Sequence, residues 1–212
     1  MSGTRTRRRP AVSDDDKLQR RDEIMAAAKK VFARNGFHAT TIADIAKEAN
    51  LAYGSVYQYF DSKDDLFYAL MSAEGNALRA HVAVALASAG KRSDRSWDPF
   101  RASVQATFEF FEADKAGTKL LLRDAYALGD RFEKHLSSIY ERFVDDVEDH
   151  MVAAQERSKV ISAPPRMVAY SVGALIGQLA HRRLTTDDGV TAAEVADFIV
   201  SLVIKGLRPD HS

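Results

Sequence analysis

Thr40–Phe60 reads TTIADIAKEANLAYGSVYQYF, and this stretch decides the fold. Ile42, Ile45, Ala46 and Ala49 fall at helical spacing, which gives a short helix one buried side. A threonine hydroxyl at its start can cap it, and Asp44 sits three residues past Thr41, a shorter-armed form of the capping box. Asn50-Leu51 is a short break, because asparagine tolerates a left-handed backbone. A second short helix is expected over 52–60, anchored by Val56 and Phe60, with Leu51 just before it. Two short helices joined by a turn of three or four residues have the spacing of a helix-turn-helix, whose second helix enters the major groove of DNA. Here that second helix offers Tyr53, Ser55, Tyr57, Gln58 and Tyr59 and no charge. Hydroxyl and amide groups of this kind bond phosphate oxygens and base edges.

The flanking segments extend the helical reading. Upstream, from Asp16, Ile24, Ala28, Val31 and Phe32 lie on one stripe, and Arg34-Asn35-Gly36 ends the helix with a basic turn and a glycine able to take positive φ. Downstream, Ser62 caps a fourth helix, with Asp64 and Asp65 in its positive first turn. That helix is expected to run from Lys63 to near Ala89, interrupted in composition only by Gly75. After a polar loop over 90–98, helical patterns cover about 98–113, 118–128, 131–157, 165–184 and 191–207. No segment alternates long enough to make a strand. The fold expected is all-α: a disordered basic arm over 1–15, a trihelical head over 16–62, and a larger helical body over 63–212, about nine helices in all.

The residues of the head resemble the tetracycline-repressor (TetR) family of bacterial transcription regulators. The likeness is carried by AAKKVFARNG at 27–36, TTIADIAKEA at 40–49, GSVYQYF at 54–60 and SKDDL at 62–66. It implies that Thr41 caps the second helix beside a phosphate, that Tyr57 and Tyr59 face the DNA backbone, and that Lys63 meets a phosphate. It places Tyr53 and Ser55, with Gln58, at base edges, and Thr40 and Gly54 belong to the same candidate DNA-binding set. The chain departs from the family at Ala52, where many relatives carry a capping serine or threonine, and at Asn50, where glycine is frequent. The resemblance further implies a sequence-specific regulator: a repressor released from a palindromic operator by a small lipophilic effector such as an acyl-CoA, a fatty acid or a steroid-like molecule. A ligand-independent or architectural DNA binder and a transcriptional activator are the alternatives. Release would follow from effector binding that moves the fourth helix and alters the separation of two heads.

The body carries two further sets of candidates. Phe100, Val104, Phe108 and Phe111 recur at helical spacing with Gln105, Arg123 and Tyr126 interleaved or nearby, a pattern of either plain core or an apolar pocket with a few placed polar groups. Gln178 and His181 complete the candidate ligand set. Small residues Gly173, Ala174 and Gly177 on one helix, and the apolar stripe Val195, Phe198, Ile199 and Leu202 on the next, suit a symmetric interface, and the resemblance implies that these two helices pair with their copies as a four-helix bundle in a homodimer. The same residues would also serve burial within one subunit.

Composition sets the outer limits. The 212 residues contain no cysteine, which excludes a disulfide scaffold, a thiolate zinc site and a cysteine nucleophile. The longest mostly apolar stretch, Met167–Ala180, is short of the roughly 20 residues a membrane span needs. The N-terminus has no apolar stretch of signal-peptide type, so no membrane partner and a cytoplasmic location are expected. No metal, cofactor or enzymatic role is expected, because the histidines lack ligand spacing and no phosphate-binding or nucleophile motif is present. The acidic run Asp145, Asp146, Glu148 and Asp149 reads as a solvated helix face. Thirty basic and thirty acidic residues cancel, but unevenly: Arg5, Arg7, Arg8 and Arg9 stand in an arm without an acid. Residues 64–212 hold 18 basic and 22 acidic side chains. The arm is either a solubility feature or a strand of positive charge, Arg7, Arg8 and Arg9 included, that tracks DNA as homeodomain arms do.

Overall fold

The computed structural model describes residues 13–89, 98–124, 130–156, 163–187 and 189–207. Among them there are nine α-helices, one π-helical turn and no strand. The head comprises α1 (Asp14–Asn35), α2 (Ile42–Glu48) and α3 (Tyr53–Val56). The body comprises α4 (Lys63–Ala89), α5 (Asp98–Ala113), α6 (Lys115–Lys119), a π-turn (Leu120–Asp124), α7 (Asp130–Glu156), α8 (Pro165–Arg183) and α9 (Ala192–Leu207).

Helix α1 starts two residues before the expected point. Ser13 caps it, accepting from the Asp16 N–H at 3.1 Å while the Asp16 carboxylate accepts from the Ser13 N–H at 3.2 Å. Asp14, Asp15 and Asp16 therefore sit where the helix dipole is positive, which stabilises them. Gly36 ends α1 at φ 79°, and its N–H donates to Phe32 O at 2.8 Å; a side chain would be strained at that angle. Thr41 and Asp44 form the expected capping box on α2. Asn50 takes φ 54° in the following turn, as its residue type allows.

Helix α3 is shorter than the sequence suggests. Only Tyr53–Val56 is regular, and Tyr57–Tyr59 continue as a turn. The N–H groups of both Tyr59 and Phe60 donate to Val56 O, which lets Phe60 enter the core four residues after Val56. Ala52 supplies no capping side chain, consistent with its departure from the family pattern.

The head has no core of its own. Ile24, Val31, Phe32, Ile45, Val56 and Phe60 are buried together with Leu66, Phe67, Leu70 and Met71 of α4, Leu120 and Leu121 of the π-turn and Phe132 of α7. Phe67 meets Phe32 edge-on at 5.2 Å, and Phe132 meets Phe37 at 5.1 Å and Phe67 at 5.4 Å. Each such side chain contributes about 1.5–3 kcal/mol by leaving water. The head and body are thus fused across what the sequence divides at residue 62.

Polar contacts cross the same seam. Lys29 of α1 lies 2.5 Å from Glu74 of α4 and 2.5 Å from Asp114, the residue that caps α6. Lys119 donates to Ala33 O at 2.5 Å. In the body, α4 packs on α5, α5 on α9 and α7 on α8. Val104, Phe108, Val172, Ile176, Ala196 and Ile199 form its second buried cluster. Helices α5 and α9 are tied by a two-pronged ion pair from Arg101 to Asp197, at 2.5 and 3.0 Å.

Candidate nucleic-acid interface and body cavity

The helix-turn-helix presents a tyrosine pair at its outer edge. Tyr53 and Tyr57, one helical turn apart on the expected second helix, are 56% and 43% exposed. Their hydroxyls are 3.0 Å apart and their rings meet edge-on at 5.4 Å. The hydrogen bond shared with Tyr53, followed by burial, holds the Tyr57 phenol above its ordinary pKa. Gln58 and Gly54 are exposed and Ser55 is half-buried. Tyr59 is half-buried and packs on the head core, which turns most of its ring away from a ligand. Thr41 is exposed, but its hydroxyl is bonded to Asp44 at 2.7 Å. That bond also lowers the Asp44 carboxyl, the side-chain bond first and the backbone N–H of Thr41 second.

Two residues of the candidate DNA-binding set have other employment. Thr40 is 1% exposed and its hydroxyl donates to Gly36 O at 2.7 Å. It locks the loop after α1, and its side chain has no route to a phosphate. Lys63 donates to the carbonyls of Phe37 and Thr40, both at 2.8 Å, and its ammonium lies 4.4 Å from the centre of the Phe37 ring. Two of its three N–H groups therefore staple the α1–α2 loop to α4. Arg7, Arg8 and Arg9 lie outside the described residues.

The body forms a half-open cavity of about 580 Å³ between α4, α5, the π-turn, α7 and α8, within the roughly 300–1,000 Å³ of small-molecule sites. Phe100, Val104 and Phe111 line it as the aromatic stripe predicts, with Leu78, Leu121, Leu122, Ile139, Phe143 and Ile176. Phe108 does not line it; it is buried in the core with α9. Gln105 bonds Arg101 at 2.8 Å and Glu109 at 2.7 Å along α5, away from the lining. Gln178 is exposed and His181 half-buried, and neither lines the cavity. Arg123 stands on the π-turn, and Tyr126 lies outside the described residues.

The cavity's polar groups are few and mostly occupied. Ser103 and Thr107 donate to the carbonyls of Phe100 and Ser103, both at 2.8 Å. Arg79 and Asp146, which also line it, form a two-pronged ion pair between α4 and α7 at 3.0 Å. Two more acids of the run, Asp145 and Glu148, share Arg166 with Glu141. Among the described residues no group of three or more His, Asp or Glu is placed to hold a metal ion.

The candidate dimer residues divide into two groups. Gly173 and Gly177 line the cavity, and a side chain at 173 would collide with the Tyr140 hydroxyl. Val195 and Ile199 are buried within the subunit. Ala174, Phe198 and Leu202 face outward, the last two 58% and 53% exposed. Met167, Tyr170, Ser171 and Gln178 are exposed with Ala174 on α8, as Phe198 and Leu202 are on α9. The sequence pattern detected two apolar helices but not which side of each faced inward. The cavity wall from α7 (Ile139, Tyr140, Phe143) escaped it as well; Gly75, against which Ile139 packs, was its one visible signal.

Comparison with known proteins follows the same division. Residues 24–70 match the bacterial regulatory proteins of the tetR family. The HTH-type transcriptional activator FasR of Mycolicibacterium smegmatis is 26% identical over 189 residues, 89% of this chain and 83% of that protein. The HTH-type transcriptional regulator HbdR of an Aromatoleum species is 45% identical over 60 residues, 27% of this chain and 26% of that one. Among solved structures, the transcriptional regulator FadR of Bacillus subtilis in complex with stearoyl-CoA superposes with a TM-score of 0.76 at 16% identity, covering 87% of this chain and 98% of the other. That likeness is one of fold. No described helix is long and apolar enough to cross a membrane.

Proposed function

We propose that this chain, whose residues 24–70 match the tetR family of bacterial regulatory proteins, is a homodimeric, effector-responsive regulator of that kind that leaves a palindromic operator when a lipophilic small molecule fills its body. Tyr53, Ser55 and Gln58 read base edges, and Thr41, Gly54 and Tyr57 approach the backbone. Lys63 keeps one N–H for a phosphate, and Arg7, Arg8 and Arg9 extend the contact beyond α1. The exposed side of α8 and α9, with Ala174, Phe198 and Leu202, pairs with its copy. The observation that carries the reading is an uncharged, tyrosine-bearing second helix joined through α4 to an apolar cavity of about 580 Å³.

Walls of Phe, Leu, Val and Ile favour an acyl chain or a steroid-like ring system, and FadR's stearoyl-CoA complex supports the acyl option. The sign of regulation depends on where the operator lies. FasR, matched along most of this chain, is an activator, and release of a repressor would use the same geometry.

Selection of genomic fragments by the purified full-length protein tests this. It should recover an inverted repeat, and palmitoyl-CoA or palmitate should abolish its footprint. Recovery of fragments without a shared repeat would sink the operator reading. A footprint indifferent to both lipids and to a sterol would favour the ligand-independent binder. Deleting residues 1–12 should weaken binding and lower the salt slope by up to about 0.9 per lost phosphate contact; an unchanged slope would remove the arm from the interface.

A further inference from the structure

The Lys29–Glu74–Asp114 cluster joins three elements of the fold, α1, α4 and the start of α6. Lys29 belongs to the head, Glu74 to α4 and Asp114 to the start of α6. Glu74 is 7% exposed, and Asp114 also accepts from the Gly117 N–H at 3.0 Å. Glycine at 117 is what allows this approach, because a side chain there would collide with the Glu74 carboxylate. Burial lowers the Lys29 pKa, but hydrogen bonds to Asp114 and Glu74 more than offset it and hold the ammonium above its usual value. The cluster is thus an ion triad with one cation and two anions.

Stability alone is a poor reason for such a cluster, since apolar side chains of similar size often do as well or better in a buried site, whereas a charged one fixes geometry. Its position suggests what geometry is fixed. The residue after Glu74 is Gly75, a cavity wall. The helix that Asp114 caps runs directly into the π-turn, whose Leu121 and Leu122 are cavity walls too, and Leu120 and Leu121 are also part of the head's core. Both acids are therefore carried by segments that an occupant of the cavity would press apart, and the one cation that reads their spacing sits on the head.

We propose that Lys29, Glu74 and Asp114 are positioning residues that set the orientation of the DNA-binding head on the body and transmit occupancy of the cavity to it. The proposal rests on the regulator reading for its consequence on DNA and on the geometry alone for the movement.

The absence of cysteine makes the test clean. Spin labels on Ala43→Cys in α2 and Ser137→Cys in α7, both exposed positions, report head-to-body distance in the full chain diluted with unlabelled protein. Gly177→Leu fills the cavity from within, since a Cβ at 177 meets nothing within 4 Å. With the triad intact, Gly177→Leu should shift the distance distribution. In the charge-free variant Lys29→Met, Glu74→Gln, Asp114→Asn the distribution should already be broad and should not respond to Gly177→Leu. Affinity for the selected operator should fall by about tenfold, a typical coupling. If the triple variant does not fold, Asp114→Asn alone, which keeps an acceptor for the α6 cap, should show the broadening in part. An unchanged distribution in the folded variant, an equal response to Gly177→Leu with and without the triad, or no response with it intact would overturn the proposal. Should no specific operator exist, the distances still decide the joint while the regulator reading fails separately.

Discussion

At the scale of single residues, Lys63 shows how a motif position acquires a second use. The family resemblance implies a phosphate contact there, and the structure supplies two carbonyls for its ammonium. Lys63→Met should therefore lower the melting temperature of the chain, because two carbonyl acceptors lose their donor, and the change in salt slope should stay below the roughly 0.9 of one full phosphate contact. A full unit of slope without loss of stability would return Lys63 to the interface as a pure DNA contact. Asp44 gives a pH prediction. Its carboxyl is held below the ordinary value by the Thr41 hydroxyl and then by the Thr41 N–H. A group lowered in this way contributes stability above its unfolded pKa and loses it as pH falls through the folded one. Amide protection in α2 should be flat near neutrality and drop at acid pH, and Asp44→Asn should flatten that limb. An identical acid limb in the variant would assign it to other carboxylates. The capping box was legible because its spacing is local. Thr40 was not: only the fold brings its hydroxyl to Gly36 O.

At the scale of elements, helix positions and periods were read closely, because apolar recurrence and caps are properties of neighbouring residues. Orientation was harder. Helices α8 and α9 are apolar on more than one side, so periodicity gave no preference between cavity, core and outer surface, and Gly173, Gly177, Val195 and Ile199 turned out to face inward. The two glycines now separate experimentally. Gly173→Ala should destabilise by about 1–3 kcal/mol through overpacking against Tyr140. Gly177→Ala meets no atom and should be neutral or stabilise by roughly 0.5–1 kcal/mol, the usual gain of alanine over glycine within a helix. Chemical denaturation of both variants checks the contrast, and equal losses would mean that the Tyr140 contact is not what excludes a side chain at 173.

At the scale of the molecule, the neutral total conceals a division of labour. Positive charge gathers in the first dozen residues, α3 is uncharged, and four acids of α7 (Glu141, Asp145, Asp146 and Glu148) are spent on Arg79 and Arg166. The outward ridge of α9 makes a further prediction about assembly. Phe198→Asp with Leu202→Asp should yield a folded monomer by sedimentation velocity, whereas Ile199→Asp, which charges a residue with no exposure, should lose the fold. A double variant that still sediments as a dimer would move the interface elsewhere. The fused core has a different kind of consequence. A fragment ending at residue 62 would leave behind Leu66, Phe67, Leu120 and Phe132, which complete the packing around Phe32 and Phe37. The DNA-reading unit is therefore not a portable cassette. A chimera that grafts it onto a foreign sensor keeps its keel only if the first two turns of α4, the π-turn and Phe132 of α7 travel with it.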